Sequence, residues 1–145
     1  MKKMYSNTYS IPRPWSVTLL AVVVLSMAIL NLVRGWQAIA QREFLFEILA
    51  VPWLYLASSG MVWGLIGLVL FLGLWQGYTR VPMYTALAAF LYSVYYWVDR
   101  MLVTTDRAQA NLPFALIFNL MIILLIFRIL SLRKTRTFFG EWHDR

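Results

Sequence analysis

The chain has 145 residues, 61% of them hydrophobic and 13% charged, with a mean hydropathy of +0.68 and a formal net charge of +7. A soluble domain carries about 25% charged residues, so this chain has too few polar groups to cover itself in water and reads as one integral membrane unit over 1–145. It has no cysteine and a single histidine, His143 in the polar tail; thiol chemistry, histidine-ligated haem and histidine-based zinc sites are excluded, and no cofactor is expected.

Taken in chain order, "MKK" followed by an apolar run raises a cleaved signal peptide as a reading. That run is too long for a signal core and leads into "NLVRGW" without a small-x-small site, so a retained first span over about 15–33 is expected. Further runs over about 53–75, 83–103 and 112–132 complete four spans, each able to cross roughly 30 Å of hydrocarbon. Pro14, Pro52, Pro82 and Pro113 stand at or just before span starts, where a missing N–H costs nothing. Tryptophans 15, 36, 53, 75 and 97 fall near span ends, as interfacial aromatics do. The expected fold is all-α: a four-transmembrane-helix bundle with cytoplasmic tails at 1–14 and 133–145.

Charge orients it. With both termini inside, nine basic residues lie on the cytoplasmic side: Lys2, Lys3, Arg13, Arg80, Arg128, Arg133, Lys134, Arg136 and Arg145. Outside are Arg34, Arg42, Arg100 and Arg107, matched by Glu43, Glu47, Asp99 and Asp106. That asymmetry places the protein in the cytoplasmic (inner) membrane with both termini inside. It also argues against dual topology. Basic residues at the inner face imply anionic lipid headgroups as partners, not nucleic acid. Arg133, Lys134, Arg136, Phe138, Phe139 and Trp142 are the expected contacts to headgroups or to a cytoplasmic partner.

The spans carry two packing signals. Ala57, Gly60, Gly64 and Gly67 share one face of the second span, a small-residue seam for close helix approach inside the bundle or in a homodimer. In the third, Thr85, Ala88, Ala89, Tyr92, Tyr96 and Asp99 form a protein-facing side opposite Leu87, Phe90, Leu91, Val94, Val98 and Met101. Between spans one and two, "QAIAQREFLFEILAVP" places Ile39, Leu45, Phe46 and Leu49 on one side, a short helix lying on the outer membrane surface.

Polar residues within the spans gather in the outer half. Asn31, Arg34, Ser59, Tyr92, Tyr96, Asp99, Arg100 and Asn119 form the candidate outer cluster. One reading has the aromatics as an interfacial belt with Asp99 and Arg100 meeting water. The other is a hydrogen-bonded cluster, either glue between helix ends or the floor of a pocket, with Arg34 or Arg100 pairing with Asp99. No mid-depth acid, polar channel lining or catalytic constellation is visible, so no enzyme activity is expected.

"GLWQGYTR" (73–80), "YYWVDR" (95–100) and a final span ending in a basic stretch with "FFG" (138–140) resemble small bacterial four-helix integral membrane proteins over roughly 60–142. The resemblance implies a four-helix bundle and carries no activity. The leading functional expectation is a non-enzymatic accessory or structural subunit of a larger membrane complex, or a small homo-oligomer. The alternative is a binder or carrier of a lipid or small apolar molecule at the outer cluster. An enzyme using Asp99 is the third.

Overall fold

The structure, a computed structural model, describes residues 13–44, 53–102 and 111–140. Among these the regular secondary structure is helical throughout: α1 (Trp15–Ala40), α2 (Trp53–Gln76), α3 (Val81–Leu102), α4 (Leu112–Ser131) and a short α5 (Arg133–Phe138). Three of them, α1, α2 and α4, are long and apolar enough to cross a membrane. The 22 residues of α3 reach about 33 Å at 1.5 Å per residue. Its tyrosines, prolyl start and Asp99–Arg100 pair make it less apolar than the other three.

The bundle is organised by the pairing of α1 with α2. On α1, Val17, Ala21, Val24, Ala28, Asn31, Gly35 and Ala38 recur at alternating steps of four and three, and all but Val24 are buried. On α2, Trp53, Ala57, Gly60, Gly64, Gly67, Phe71 and Leu74 do the same. Such a spacing keeps one seam facing a partner along the whole helix. Running antiparallel, the two seams meet residue by residue. A Cβ added at Gly60 would lie 2.7 Å from the Asn31 carbonyl oxygen and 2.7 Å from the Gly35 nitrogen. One at Gly35 would lie 3.0 Å from the Ala57 carbonyl oxygen. The helices touch backbone to backbone there, an approach open only to residues without a side chain. The small face of α2 is thus occupied within the chain, by α1.

Close packing also explains why α1 runs seven residues beyond the expected span end at Val33. Gly35 and Ala38 extend the contact to Leu56 and Ala57, so the helix continues through "GWQAIA" instead of leaving for a surface segment. Residues 42–44 are helical again after Gln41. The rest of the expected outer surface helix, including Leu45, Phe46 and Leu49, lies outside the described residues.

At the other end, α2 stops at Gly77, whose φ of +76° admits the left-handed turn. There the Tyr78 N–H closes on the Gly73 carbonyl at 3.2 Å. Arg13 reaches across from the start of α1, donating to the Trp75 carbonyl at 2.7 Å with its guanidinium 3.9 Å from the Trp75 ring centre. That bond engages one of the last-turn carbonyls a helix C-terminus leaves unpaired. Leu132, at ψ 134°, breaks α4 and turns α5 back beneath the bundle. Phe139 then inserts among Val17, Leu20, Ala21, Leu74, Val81 and Ile129. A second, smaller cluster of Ala38, Leu56 and Ala57 closes the opposite end.

The six residues expected on the lipid side of α3, from Leu87 to Met101, are all exposed, while Thr85 and Ser93 are buried. Up-and-down order brings α4 against α3 and, more loosely, against α1. Because the obstacle at Gly60 is backbone, Gly60→Leu must push α1 and α2 apart. It is expected to lower stability by about 1–3 kcal/mol or more, by the cost of overpacking a tight interface. Thermal unfolding in detergent micelles reads this, with Val62→Leu on the exposed face of α2 as the control that stays within about 0.5 kcal/mol.

Candidate functional site

Proceeding inward from the α1 C-terminal end, polar side chains of α1, α3 and α4 meet in successive layers. The outermost layer holds an ion pair. Arg34 Nη2 donates to both carboxylate oxygens of Asp99, at 2.9 and 2.8 Å. Arg34 Nη1 donates to the Tyr95 hydroxyl at 3.3 Å, and Tyr95 donates in turn to Asp99 Oδ1 at 3.4 Å. Arg34 lies on α1 one helical turn beyond Asn31, so the same seam that packs against α2 also aims this edge of α1 at α3. The Asp99 side chain is 14% exposed and that of Arg34 36%, which places the pair at the rim of the bundle.

One turn further in, Asn31 Nδ2 donates to the Met27 carbonyl at 2.8 Å and to the Tyr92 hydroxyl at 3.2 Å. Trp63 of α2 backs this layer, edge-on to Tyr92 with ring centres 5.1 Å apart and tilted against Tyr95 at 5.5 Å. In the neighbouring groove Ser93 donates to Asn119 Oδ1 at 2.6 Å and ties α3 to α4.

Below these layers lies a half-open cavity of about 140 Å³ between the four long helices. Its wall is mostly aliphatic, with Val24, Met27, Ile66, Leu70, Ile123 and Ile126 among its residues. Asn31, Tyr92, Ser93 and Asn119 border it, and Thr85 and Trp63 also face it. The hydroxyl of Thr85 is buried and has no hydrogen-bond partner among the described residues. The residue as a whole is 2% exposed. A buried hydroxyl without a partner costs about 1–3 kcal/mol, so it is an exception needing a reason.

Among the described residues, the eight of the expected cluster are not joined in one network. Arg34 and Asp99 meet, as do Asn31 and Tyr92, while Asn119 takes Ser93 as its partner. Arg100 turns aside to donate to Tyr96 at 3.1 Å, one turn back on its own helix. Ser59 donates to the Leu56 carbonyl of its own helix. Sequence reasoning did not single out Tyr95 as a bridging group, nor Ser93, Trp63 or the depth of Thr85. Ser93 lies one residue beyond Tyr92, and its signal was the turn-by-turn match in depth with Asn119.

The residues expected to contact headgroups divide. Arg133, Lys134 and Arg136 are exposed. Phe139 is 1% exposed, held in the chain's own core and not presented outward as expected, while Phe138, half-buried, packs beside it against Gly77. The reason is the break at Leu132, which folds the aromatics back under the bundle. Trp142 lies outside the described residues. Among the described residues no three of His, Cys, Asp and Glu come together in a metal-holding group. Comparison with protein-family models, curated proteins and solved structures finds no match to this chain.

Asp99→Asn leaves the Arg34 charge facing a neutral amide and is expected to cost about 1–3 kcal/mol of stability. Tyr95→Phe, which leaves the ion pair intact, is expected to cost about 1 kcal/mol. A thermal double-mutant cycle with Arg34→Met and Asp99→Leu checks the assignment: the double variant should lose less than the sum of the single losses. Additive losses would mean that the pair contributes no coupling.

Proposed function

We propose that the protein is a non-enzymatic four-span protein of the cytoplasmic membrane that binds a small apolar molecule inside its helix bundle. The observation that carries this reading is the cavity of about 140 Å³, comparable with the roughly 150 Å³ that accommodates benzene in an engineered protein core. It lies at mid-length of the helices, bounded at one end by the packed cluster around Phe139 and at the other by the Asn31 and Arg34 layers. Half-open between hydrocarbon-facing helices, it suits a neutral, lipid-soluble ligand. The ion pair of Arg34 and Asp99 acts as a clasp between α1 and α3, and the ligand lies beneath it.

In this reading α3 is the fourth span, since α2 and α4 flank it and its exposed face is apolar. Both termini lie on the cytoplasmic side, because Arg13, Arg80, Arg128, Arg133, Lys134 and Arg136 collect at the Phe139 end of the bundle. There the basic residues of α5 contact anionic headgroups.

A second reading is the accessory subunit of a larger membrane complex. One observation favours it: of the 20 residues of α4, Ile129 is the one that is buried, leaving stacked Phe114 and Phe118 facing outward. A helix so little engaged is available to a neighbouring subunit as well as to lipid.

The chain's lack of cysteine makes its topology directly readable. Cysteines placed singly at Gln41 and Asn111 are expected to react with an impermeant maleimide on intact cells, and one at Thr79 only after lysis. Asn111→Cys labelling with Thr79→Cys would show that α3 does not cross. Native mass spectrometry of gently extracted particles then separates the two functions. A monomer or small oligomer carrying a small-molecule mass, lost in the cavity-filling variant Ala89→Leu, supports the binder; a defined assembly with other subunits and no such mass supports the accessory role.

A further inference from the structure

The cavity opens sideways, between α2 and α3. Of the residues that line it, Ile66 alone is exposed, at 38%, and the rest are half-buried or buried. The two helices touch at two levels, one on either side of Ile66. Towards the Phe139 end a Cβ added at Gly73 would lie 2.6 Å from Val81 Cγ2. Towards the other end Trp63 packs on Tyr92 and Tyr95. Over the intervening stretch of α3, about three turns, the residues turned to the cavity are Thr85, Ala88 and Ala89, none with a long side chain. Opposite them stand Ile66 and Leu70 of α2. The α1–α2 side, by contrast, is closed by the contacts of Gly60, Gly64 and Gly67. A window is left between α2 and α3, framed by Trp63 and Val81, with Ile66 at its mouth.

Inside the window the surface is hydrocarbon. Asn31 is bonded to Tyr92 and Ser93 to Asn119, the Thr85 hydroxyl has essentially no accessible surface, and no charged side chain lines the cavity. The aliphatic wall offers dispersion and nothing directional. Ile66 lies near mid-length of α2, so the window faces the depth at which the chain ends of the two leaflets meet. We propose that the occupant is the end of a lipid hydrocarbon chain, inserted from the bilayer past Ile66 and Ala88 while its headgroup stays at the membrane surface. The inference rests on the binding reading above and names the class of molecule bound. Lipid tails are as apolar as the wall, so no hydrophobic effect draws the chain in; filling the void restores contacts that its lining otherwise lacks. A free apolar molecule would have to displace chain ends that already stand at the mouth in far larger number.

The test reads contact directly. Full-length protein is placed in phosphatidylcholine nanodiscs containing a small fraction of phosphatidylcholine with a diazirine at the end of one acyl chain. Light converts the diazirine, with loss of dinitrogen, to a carbene that inserts into whatever it touches, and peptide mass spectrometry locates the adducts. Met27, which lines the cavity, reports insertion. Met121, at mid-length of α4 and 54% exposed, reports ordinary contact with surrounding chains. Both are expected to be labelled. Ala88→Leu, which puts a longer side chain in the window, should remove most of the Met27 label and leave that of Met121. Ile66→Ala, which widens the mouth, should raise the Met27 label, so the assignment does not depend on one variant folding. A free probe of about benzene size, phenyl(trifluoromethyl)diazirine, is run in parallel.

If the lipid probe labels Met121 but not Met27 while the free probe labels both, the cavity is a binding site and the lipid-chain inference is overturned. If neither probe reaches Met27, the binding reading itself fails. Met27 labelling by the lipid probe that neither Ala88→Leu nor Ile66→Ala alters would overturn the window as the route of entry.

Discussion

Gly35 on α1 and Gly60 on α2 meet backbone to backbone, and the position of nearly every other group depends on that contact. It sets the register of the two helices, since sliding either by one residue would bring the side chain of Arg34, Trp36, Ser59 or Met61 to the point where main chain meets main chain. It also fixes their rotation. With Ala28, Asn31 and Gly35 facing the seam, Arg34 emerges at its edge, towards α3. In lipid no hydrophobic effect draws apolar helices together, so dispersion and close backbone approach must do so. The seam provides both over the full length of α1.

The same small residues account for the cavity. Ala28 faces Gly67, whose added Cβ would meet the Ala28 Cβ at 2.7 Å, and α3 turns Ala88 and Ala89 to this level. Large side chains gather instead at the two ends: Phe139, Leu20 and Leu74 at one, Leu56 and its neighbours at the other. An antiparallel pair drawn this close has little side-chain volume to project into the centre, and α3 and α4 do not make up the shortfall.

Much of this was legible in the sequence, and the part that was not has a physical reason. The long helices lie where apolar runs and prolines place them, and the two faces of α3 follow from its periodicity. The seam of α2 was visible because its glycines stand out. Its counterpart on α1 was not singled out, since alanines at 21 and 28 among leucines and valines look like ordinary apolar filling until the alternating steps to Val17 and Ala38 are counted. The pairing of Arg34 with Asp99 was one of two options that depth alone allowed; the choice needed the rotation of α1 about its axis, which only the Gly35 contact fixes. Phe139 was misplaced because nothing in "LRKTRTFFG" marks Leu132 as the point where the chain turns back.

The polar groups follow a gradient that electrostatics explains. The full charges of Arg34 and Asp99 lie at the rim, where water and a counter-ion reduce the cost of burial. The amide and phenol of Asn31 and Tyr92 come next, with the hydroxyl and amide of Ser93 and Asn119 at about the same depth, each with a partner. Thr85, reached last, is the one hydroxyl in this series without one. Were these groups only glue, the order should run the other way at its inner end: the most deeply placed group, furthest from water, has the strongest need of a bond. A valine would fill nearly the same space at position 85 without that penalty.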